Sequence, residues 1–465
     1  MDLTESPDTS PRHYRLCVLG SGPSGQNVAV KMAKQGWSVV LVESRQLGGT
    51  CALRGCSPKK VLANASKLFD AVDHVRGKMT MDDAPRIDWS MIRDFRHEFT
   101  DPVPESTADK FRKTGIDWII GQPKFRRDKT LVVGPHTISA DQFVIATGAH
   151  PSPLPFPGSD LATTSDEFFD LPDMPPRVLF VGGGYVSMEF AAVARRCGSE
   201  VTVVQRSDEI LPHFDADLCG QLRRYLADTG IDIQLNRRIH SIARQGDALS
   251  VQTEDTDGSD RREIVVDLVV HGAGRTASLD GLDLEVIGAT VGKGGVEVDR
   301  FNRCVGTENV LAVGDCADTG LPRLTPTAAA DGRRLVKNLM AWSQNQAPHP
   351  RPDRPVTAVA FTPVPIASVG LSESEAADQY PELRVNQRDT STWGSVRKTG
   401  QTCAGYKVLI DGATDKIVGA HLLGPSADEQ INLFTLAIEA ELTATQLDEV
   451  LLGYPTFGSD VQRMV

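Results

Sequence analysis

Residues 14–43 read YRLCVLGSGPSGQNVAVKMAKQGWSVVLVE, and the order of features in this stretch decides the fold. A β-like run at 14–19 leads into Gly20, Gly22 and Gly25. An Ala/Val-rich helical stretch follows at 26–35, then a second β-like run at 38–42 that ends at an acid, Glu43. Strand, glycine turn, helix, strand, acid is the context that gives G-x-G-x-x-G its meaning. The glycines permit a tight turn and close backbone approach to a pyrophosphate at the helix N-terminus. Glu43 is placed to accept ribose hydroxyls. The arrangement recurs with RVLFV at 177–181, the turn Gly182-Gly183-Gly184, a helix at 185–197 and a strand at 200–205; Ser187 stands where a third glycine would. Two such turns predict two dinucleotides in one chain, and chemistry of that kind passes a hydride from a nicotinamide to a flavin.

The rest of the chain fits around this frame. Its 465 residues give about three domains on length alone, and 40% hydrophobic content supplies several cores rather than a disordered chain. The 49 Lys and Arg against 61 Asp and Glu leave a net charge of −12, which excludes a general nucleic-acid binder, because phosphate contacts need a basic face. The sequence has no apolar run long enough for a membrane span. Residues 1–13 (MDLTESPDTSPRH) lack a basic segment leading into an apolar one, so they are read as a short disordered tail and not a secretory signal. A helix is expected at 58–75, strands at 117–125 and 130–133, and a buried strand running into a small-residue turn at 141–148. Pro-rich segments at 151–158 and 348–355 read as boundaries.

The eight cysteines are too sparse for a secreted disulfide scaffold and point to a cytoplasmic protein. Two of them, Cys51 and Cys56, fall in GGTCALRGCSPKK at 48–60. On a regular helix a five-residue step separates the Cα atoms by roughly 8.6 Å, beyond the ~7 Å limit for a disulfide. A bridge therefore needs a distorted first turn, for which Gly55 and Pro58 provide the means. A helix N-terminus and nearby Lys59 favour a reactive thiolate. Spacing alone also allows two unpaired cysteines or a structural bridge. Cys17, Cys197, Cys219, Cys304, Cys316 and Cys403 have no metal-ligand spacing and read as core residues.

The 48–60 segment resembles the redox-active signature of the class I pyridine nucleotide–disulfide oxidoreductases, the family of glutathione reductase, dihydrolipoamide dehydrogenase and mercuric reductase. The likeness extends in order through 20–25, 146–148, GGGYVSMEF at 182–190, 274–275, 313–315, 324–326, FTPVPIASVGLSE at 361–373 and GAHLLGP at 419–425. It implies an α/β fold of two Rossmann-like dinucleotide-binding domains plus a C-terminal α+β interface domain. The flavin domain is expected at 14–152 and 281–350, the NAD(P) domain at 153–280 and the interface domain at 351–465, as part of a homodimer. The resemblance makes Cys51 the interchange thiol, Cys56 the charge-transfer thiol, Lys59 and Glu189 an ion pair beside the flavin, Asp315 the acid on the ribityl chain and Tyr185 the lid over the nicotinamide pocket. Gly20, Gly22, Ser24, Gly25, Glu43, Gly49, Thr50, Lys59, Thr147, Gly148, Asp315 and Thr325 are expected to bind FAD. Gly182, Gly184, Tyr185, Ser187, Arg206 and Gly274 are expected at the nicotinamide cofactor. Gln205 stands where NAD enzymes place an acid, and Arg206 follows; its planar fork suits a 2′-phosphate, so NADPH is favoured with NADH possible.

One departure matters. The resemblance implies that most disulfide-reducing members carry His-Pro-Thr-x-x-Glu near the C-terminus, supplied across the dimer, where the His is the acid–base for the interchange thiol and the Glu orients it. Here the segment is Tyr454-Pro455-Thr456-Phe457-Gly458-Ser459, and no histidine follows His421. Tyr454 either packs or donates a hydrogen bond or proton near the thiols; a phenol of pKa near 10 is a poor base at neutral pH. Mercuric reductase also lacks this His and has a tyrosine nearby, but its vicinal cysteines have no counterpart in Gln462-Arg463-Met464-Val465. The expected activity is an FAD-dependent NAD(P)H oxidoreductase passing electrons through Cys51–Cys56 to a disulfide or related small acceptor. The alternative is a flavin-dependent quinone or metal-ion reductase in which the dithiol is secondary. A non-catalytic redox sensor is opposed by the intact cysteine pair and both nucleotide turns.

Overall fold

Strand Arg12–Leu19 is fully buried from Leu16 to Leu19, as expected for a strand covered on both faces of a parallel sheet. The computed structural model describes residues 1–4, 6, 8–79 and 85–465. They divide into two compact units: Met1–Pro58 with His97–Ser152 and Arg275–Asp353, and Lys59–Arg96 with Pro153–Gly274 and Arg354–Val465.

In the first unit the sheet runs Asp117–Ile120, Val39–Glu43, Arg12–Leu19, His136–Ile145, Leu131–Val133, Pro123–Phe125, with Val310–Ala312 also paired to His136–Ile145. The four strands from Asp117–Ile120 to His136–Ile145 are parallel, and Leu19 is in register with both Val42 and Ile145. Helix Pro23–Lys34 begins with Pro in its first turn, where the missing N–H costs nothing. It buries Val28, Ala29 and Met32 in the core that also holds Leu335 and Leu339 of helix Thr325–Ser343.

The expectation of a disordered tail is corrected at its start. The Met1 ammonium pairs with Asp117 at 2.9 Å, Asp2 bridges Trp118, and Leu3 is 1% exposed. The sheet edge at Asp117–Ile120 offers open backbone groups, and these first residues occupy them. The first strand likewise starts at Arg12 rather than Tyr14, and the expected strand 117–125 is two strands, Asp117–Ile120 and Pro123–Phe125.

The second unit contains a parallel sheet ordered Ile231–Gln234, Glu200–Val204, Arg177–Val181, Leu268–His271. An antiparallel sheet Arg237–Gln245, Ala248–Asp255, Arg262–Val266 joins it. The C-terminal segment forms an antiparallel five-stranded sheet against helix Ala427–Glu439. Its strand Gly405–Asp411 is buried at every position. Two features set the breaks apart from the sequence expectation: they fall at 274/275 and 353/354, and residues 59–96 pack with the second unit. The physical cause of the latter is visible in Trp89, edge-on to Phe168 at 5.6 Å, and in Arg196, whose guanidinium grips both oxygens of Asp70 at 2.9 and 2.8 Å.

Candidate functional site

The first glycine turn lies in the first unit. Gly20 has φ +106°, and a Cβ there would meet Ala146 O at 2.3 Å; one on Gly25 would meet Gly20 O at 2.0 Å. Gly49, at φ +73°, approaches Gly22 so closely that a Cβ would stand 2.4 Å from its Cα. Gly22, by contrast, opens onto free space just before helix Pro23–Lys34, where the first backbone N–H groups of a helix await partners.

Glu43 is buried. Its Oε2 accepts from Ser21 N (2.9 Å) and Ser21 Oγ (2.7 Å), and its Oε1 accepts from Arg45 N (3.0 Å), leaving acceptor capacity for a ribose hydroxyl. Ser21, which sequence reasoning missed, also accepts from Gly48 N at 2.9 Å and so ties the acid to both glycine segments. Ser24, expected at the flavin, spends its hydroxyl on Ala328 O at 2.8 Å. Thr147 and Gly148 follow strand His136–Ile145, with Gly148 at φ +70° and open. Glycines without room for a side chain, a helix N-terminus and an acid with spare acceptor capacity together fit FAD. Asp315, in the turn Gly314–Cys316, is pushed up by burial, with Arg275 and Arg323 acting against the shift.

The cysteine segment is two helices. Gly49–Leu53 carries Cys51, and a new helix, Cys56–Asp73, starts at Cys56. The break falls at Arg54 and Gly55, where a Cβ on Gly55 would meet Thr50 O at 2.9 Å. The break that a bridge would need is therefore present; both cysteines are free thiols, and their sulfurs lie close enough to interact. Both also meet Thr325 Oγ1: it donates to Cys51 Sγ at 3.2 Å and lies 3.3 Å from Cys56 Sγ. Thr325 is the first residue of helix Thr325–Ser343, whose positive end favours a thiolate. The hydrogen bond to Cys56, and then burial, push the Cys51 thiol well up.

Within the second unit, Lys59 and Glu189 are together, but not alone. Glu189 is 1% exposed. Its Oε2 meets Lys60 Nζ at 2.7 Å and Lys59 Nζ at 3.3 Å, and its Oε1 accepts from Phe361 N at 3.0 Å. Burial pushes this carboxyl up, yet the two lysine charges and the hydrogen bonds win and hold it below the ordinary range. Lys59 Nζ also lies over the Tyr185 ring at 4.5 Å, and Lys60 Nζ over Phe361 at 3.8 Å. Neither Lys60 nor Phe361 was singled out from the sequence, although Lys60 adjoins Lys59.

The second glycine turn has Gly182 at φ +90° and Gly184 capping helix Tyr185–Arg196. Gln205 is used inside this turn: its Oε1 accepts from Gly183 N at 2.9 Å. Arg206 beside it is exposed. Ser187 is fully buried against Gly272, a Cβ on which would collide with Ser187 Oγ. Its hydroxyl lies beside that glycine and has no hydrogen-bond partner among the described residues. Gly274 has φ +105°. Tyr454 is 89% exposed, and Ser459 closes a local turn by donating to Thr456 O at 2.7 Å.

The pyridine nucleotide-disulphide oxidoreductase model matches residues 14–332, and that family's dimerisation-domain model matches 356–465. The chain belongs to this family. Glutathione reductase from Burkholderia cepacia is 30% identical over 96% of this chain and 97% of its own. Dihydrolipoyl dehydrogenase from Thermus scotoductus is 30% identical over 95% of each. Among solved structures, the Cu(II) complex of the HOCl-induced flavoprotein disulfide reductase RclA from Escherichia coli superposes with a TM-score of 0.85 at 25% identity, covering 97% of this chain and 99% of that one. This family member is an enzyme, an FAD-dependent NAD(P)H disulfide oxidoreductase, with two Rossmann-like domains and a dimerisation domain. Among the described residues no helix is long and apolar enough to cross a membrane.

Proposed function

We propose that the enzyme is a cytoplasmic homodimer that uses NADPH in preference to NADH and reduces a small disulfide other than glutathione disulfide or lipoamide. The observation that carries this reading is the thiol pair closed onto Thr325, with a tyrosine in the segment where relatives carry the acid–base histidine. Bound FAD supplies the two-electron link between nicotinamide and thiols. Gly20, Gly22, Gly25, Gly49, Thr50, Thr147 and Gly148 hold its backbone-facing groups, Glu43 its ribose, and Asp315 its sugar chain. Lys59 and Lys60, fixed by Glu189, supply positive charge beside Tyr185. Cys51 is the thiol that attacks the acceptor, and Cys56 the one that stays with the flavin. Arg206, with no side-chain partner among the described residues, is the group available to a 2′-phosphate. Exposed Leu436, Leu451 and Tyr454 in the dimerisation segment support burial against a second copy.

A second reading, reduction of a metal ion, draws support from the Cu(II) complex formed by the RclA relative and from the missing histidine, since a metal ion needs no proton from the protein. The test is NADPH oxidation at about 340 nm against a panel of low-molecular-weight disulfides, quinones and Cu(II). Turnover with a disulfide that is lost in Cys51→Ser supports the first reading. Turnover confined to Cu(II) or quinones overturns it.

A further inference from the structure

We infer that Thr325 is a catalytic residue: its hydroxyl relays a proton between Cys51 and Cys56, so that the reduced pair manages its own protons where relatives use a histidine. The inference deepens the reading above and rests on its assignment of the two thiols. The geometry is a closed chain. Thr325 Oγ1–H donates to Cys51 Sγ at 3.2 Å, and the same oxygen lies 3.3 Å from Cys56 Sγ. Among the described residues it is the hydroxyl that meets both sulfurs. The structure fixes it firmly, because Thr325 begins a 19-residue helix and is followed by Pro326, which sets the backbone there. Gly55 provides the complementary fit by letting Cys51 and Cys56 converge. The charged group acting on the pair from the facing turn is Asp315, itself under Arg275 and Arg323. These charges set the level of the pair's titration but do not connect the two sulfurs.

The steps balance as follows. In the singly ionised pair Cys51 holds the proton and Cys56 is the thiolate. Cys51–SH passes its proton to Thr325 Oγ1 while the Thr325 proton moves to Cys56, leaving Cys51 as thiolate. Cys51 then attacks the acceptor disulfide; the acceptor S–S bond breaks, a Cys51–S mixed disulfide forms, and the expelled thiolate takes up the proton held by Cys56, which leaves Cys56 as thiolate. Cys56 thiolate next attacks Cys51 Sγ, closing the Cys51–Cys56 disulfide and releasing the second thiol, which takes its proton from solvent. Two electrons leave the pair and reduce one disulfide to two thiols.

The test compares Thr325→Val, which keeps the shape and removes the hydroxyl, with Thr325→Ser, which restores it, and with Tyr454→Phe, all as FAD-bound full-length protein. The primary readout is the pH dependence of Cys51 alkylation by iodoacetamide after reduction and desalting under nitrogen, with the site located by mass spectrometry. Losing one hydrogen bond to an ionising thiol shifts its midpoint by about one pH unit. Thr325→Val is therefore expected to alkylate about tenfold more slowly at neutral pH, with Ser near the parent and Tyr454→Phe unchanged. Far-UV circular dichroism and a thermal midpoint like the parent's check that the variant is folded. An unchanged midpoint in Thr325→Val, or a shift in Tyr454→Phe instead, overturns the inference. Failure of the acceptor reading shows separately, as absence of disulfide turnover by the parent enzyme, and leaves the alkylation result decisive for Thr325.

Discussion

Glu189 with its two lysines permits a quantitative prediction. At separations of 2.7 and 3.3 Å, an effective dielectric of about 20 gives gross attractions of about 6 and about 5 kcal/mol. Desolvation of three charged groups cancels most of this, and breaking a buried pair costs about 3–5 kcal/mol because the surviving charge is left uncompensated. Either lysine alone keeps Glu189 paired, so Lys59→Met and Lys60→Met should each cost only about 1 kcal/mol, while the double variant should cost about 3–5 kcal/mol, more than the sum of the two. The sign with pH is definite. In the parent the folded carboxyl sits below its unfolded value, so its contribution is present above the ordinary carboxylate range and is lost as pH falls through the folded value. In the double variant burial is opposed only by the Phe361 N–H, and the folded value rises above the unfolded one. The loss of stability should then be greatest at neutral pH and vanish only once the medium is acidic enough to protonate the parent's folded carboxyl, below the unfolded value. Urea unfolding of the single and double variants across this pH range, at fixed excess FAD, measures it. A neutral Lys60→Met together with a full loss in Lys59→Met would refute the shared role of the lysines, and a pH-independent loss in the double variant would refute the electrostatic account.

Other outcomes follow from the same site. Two-electron reduction should produce a long-wavelength absorption band that disappears in Cys56→Ser, whereas Cys51→Ser should show it without reductant; identical spectra in both variants contradict the division of labour between the thiols. Arg206→Ala should lower kcat/KM for NADPH about tenfold and leave NADH unaffected, since a charged hydrogen bond of about 1.5–3 kcal/mol is lost only with the 2′-phosphate; an equal effect on both cofactors removes Arg206 from that role. Tyr454→Phe should leave turnover with the best acceptor and flavin reduction by NADPH both intact, and a selective loss of acceptor turnover would show that the phenol acts at the thiols after all.

What the sequence made legible is local. The two glycine turns, the strands around them and the acid at position 43 depend on residues within thirty of one another, and φ values of +106° at Gly20 and +90° at Gly182 are demands that only glycine meets cheaply. The need for a broken helix between Cys51 and Cys56 was also legible, because helix geometry is fixed. What escaped depends on contacts that the fold alone creates. The Lys60–Glu189 bridge closes 129 residues, the Phe361 N–H reaches Glu189 across 172, and Thr325 meets Cys51 across 274. Gln205 was read as a neutral stand-in for a ribose-binding acid, but its amide completes the second glycine turn, just as Ser21 completes the first. Ser24 and Ser187 stand at motif positions, and the fold adds what the motif could not give: the Ser24 hydroxyl donates to Ala328 O, while that of Ser187 lies beside Gly272.

The departure at Tyr454 bears on the thiol pair. A histidine serves a thiol pair by taking a proton that would otherwise have to cross to water, and its value is typically 10²–10⁴-fold. Here the segment carries Tyr454, a phenol that is exposed within one chain and lies in the dimerisation segment. The thiols instead have a hydroxyl between them and two helix starts beside them, at Cys56 and Thr325. Such a site stabilises a single negative charge shared over two sulfurs, and Cys56 can return one proton to a leaving group; among the described residues of one chain the hydroxyl of Thr325 is the group that serves both sulfurs. We therefore expect acceptors whose released thiol is already acidic, or which release no thiol, to be turned over faster than the alkyl disulfides of glutathione and lipoamide. That preference unites the disulfide and metal-ion readings in one chemical property: the less the acceptor needs a proton at the moment its bond breaks, the less the missing histidine should matter.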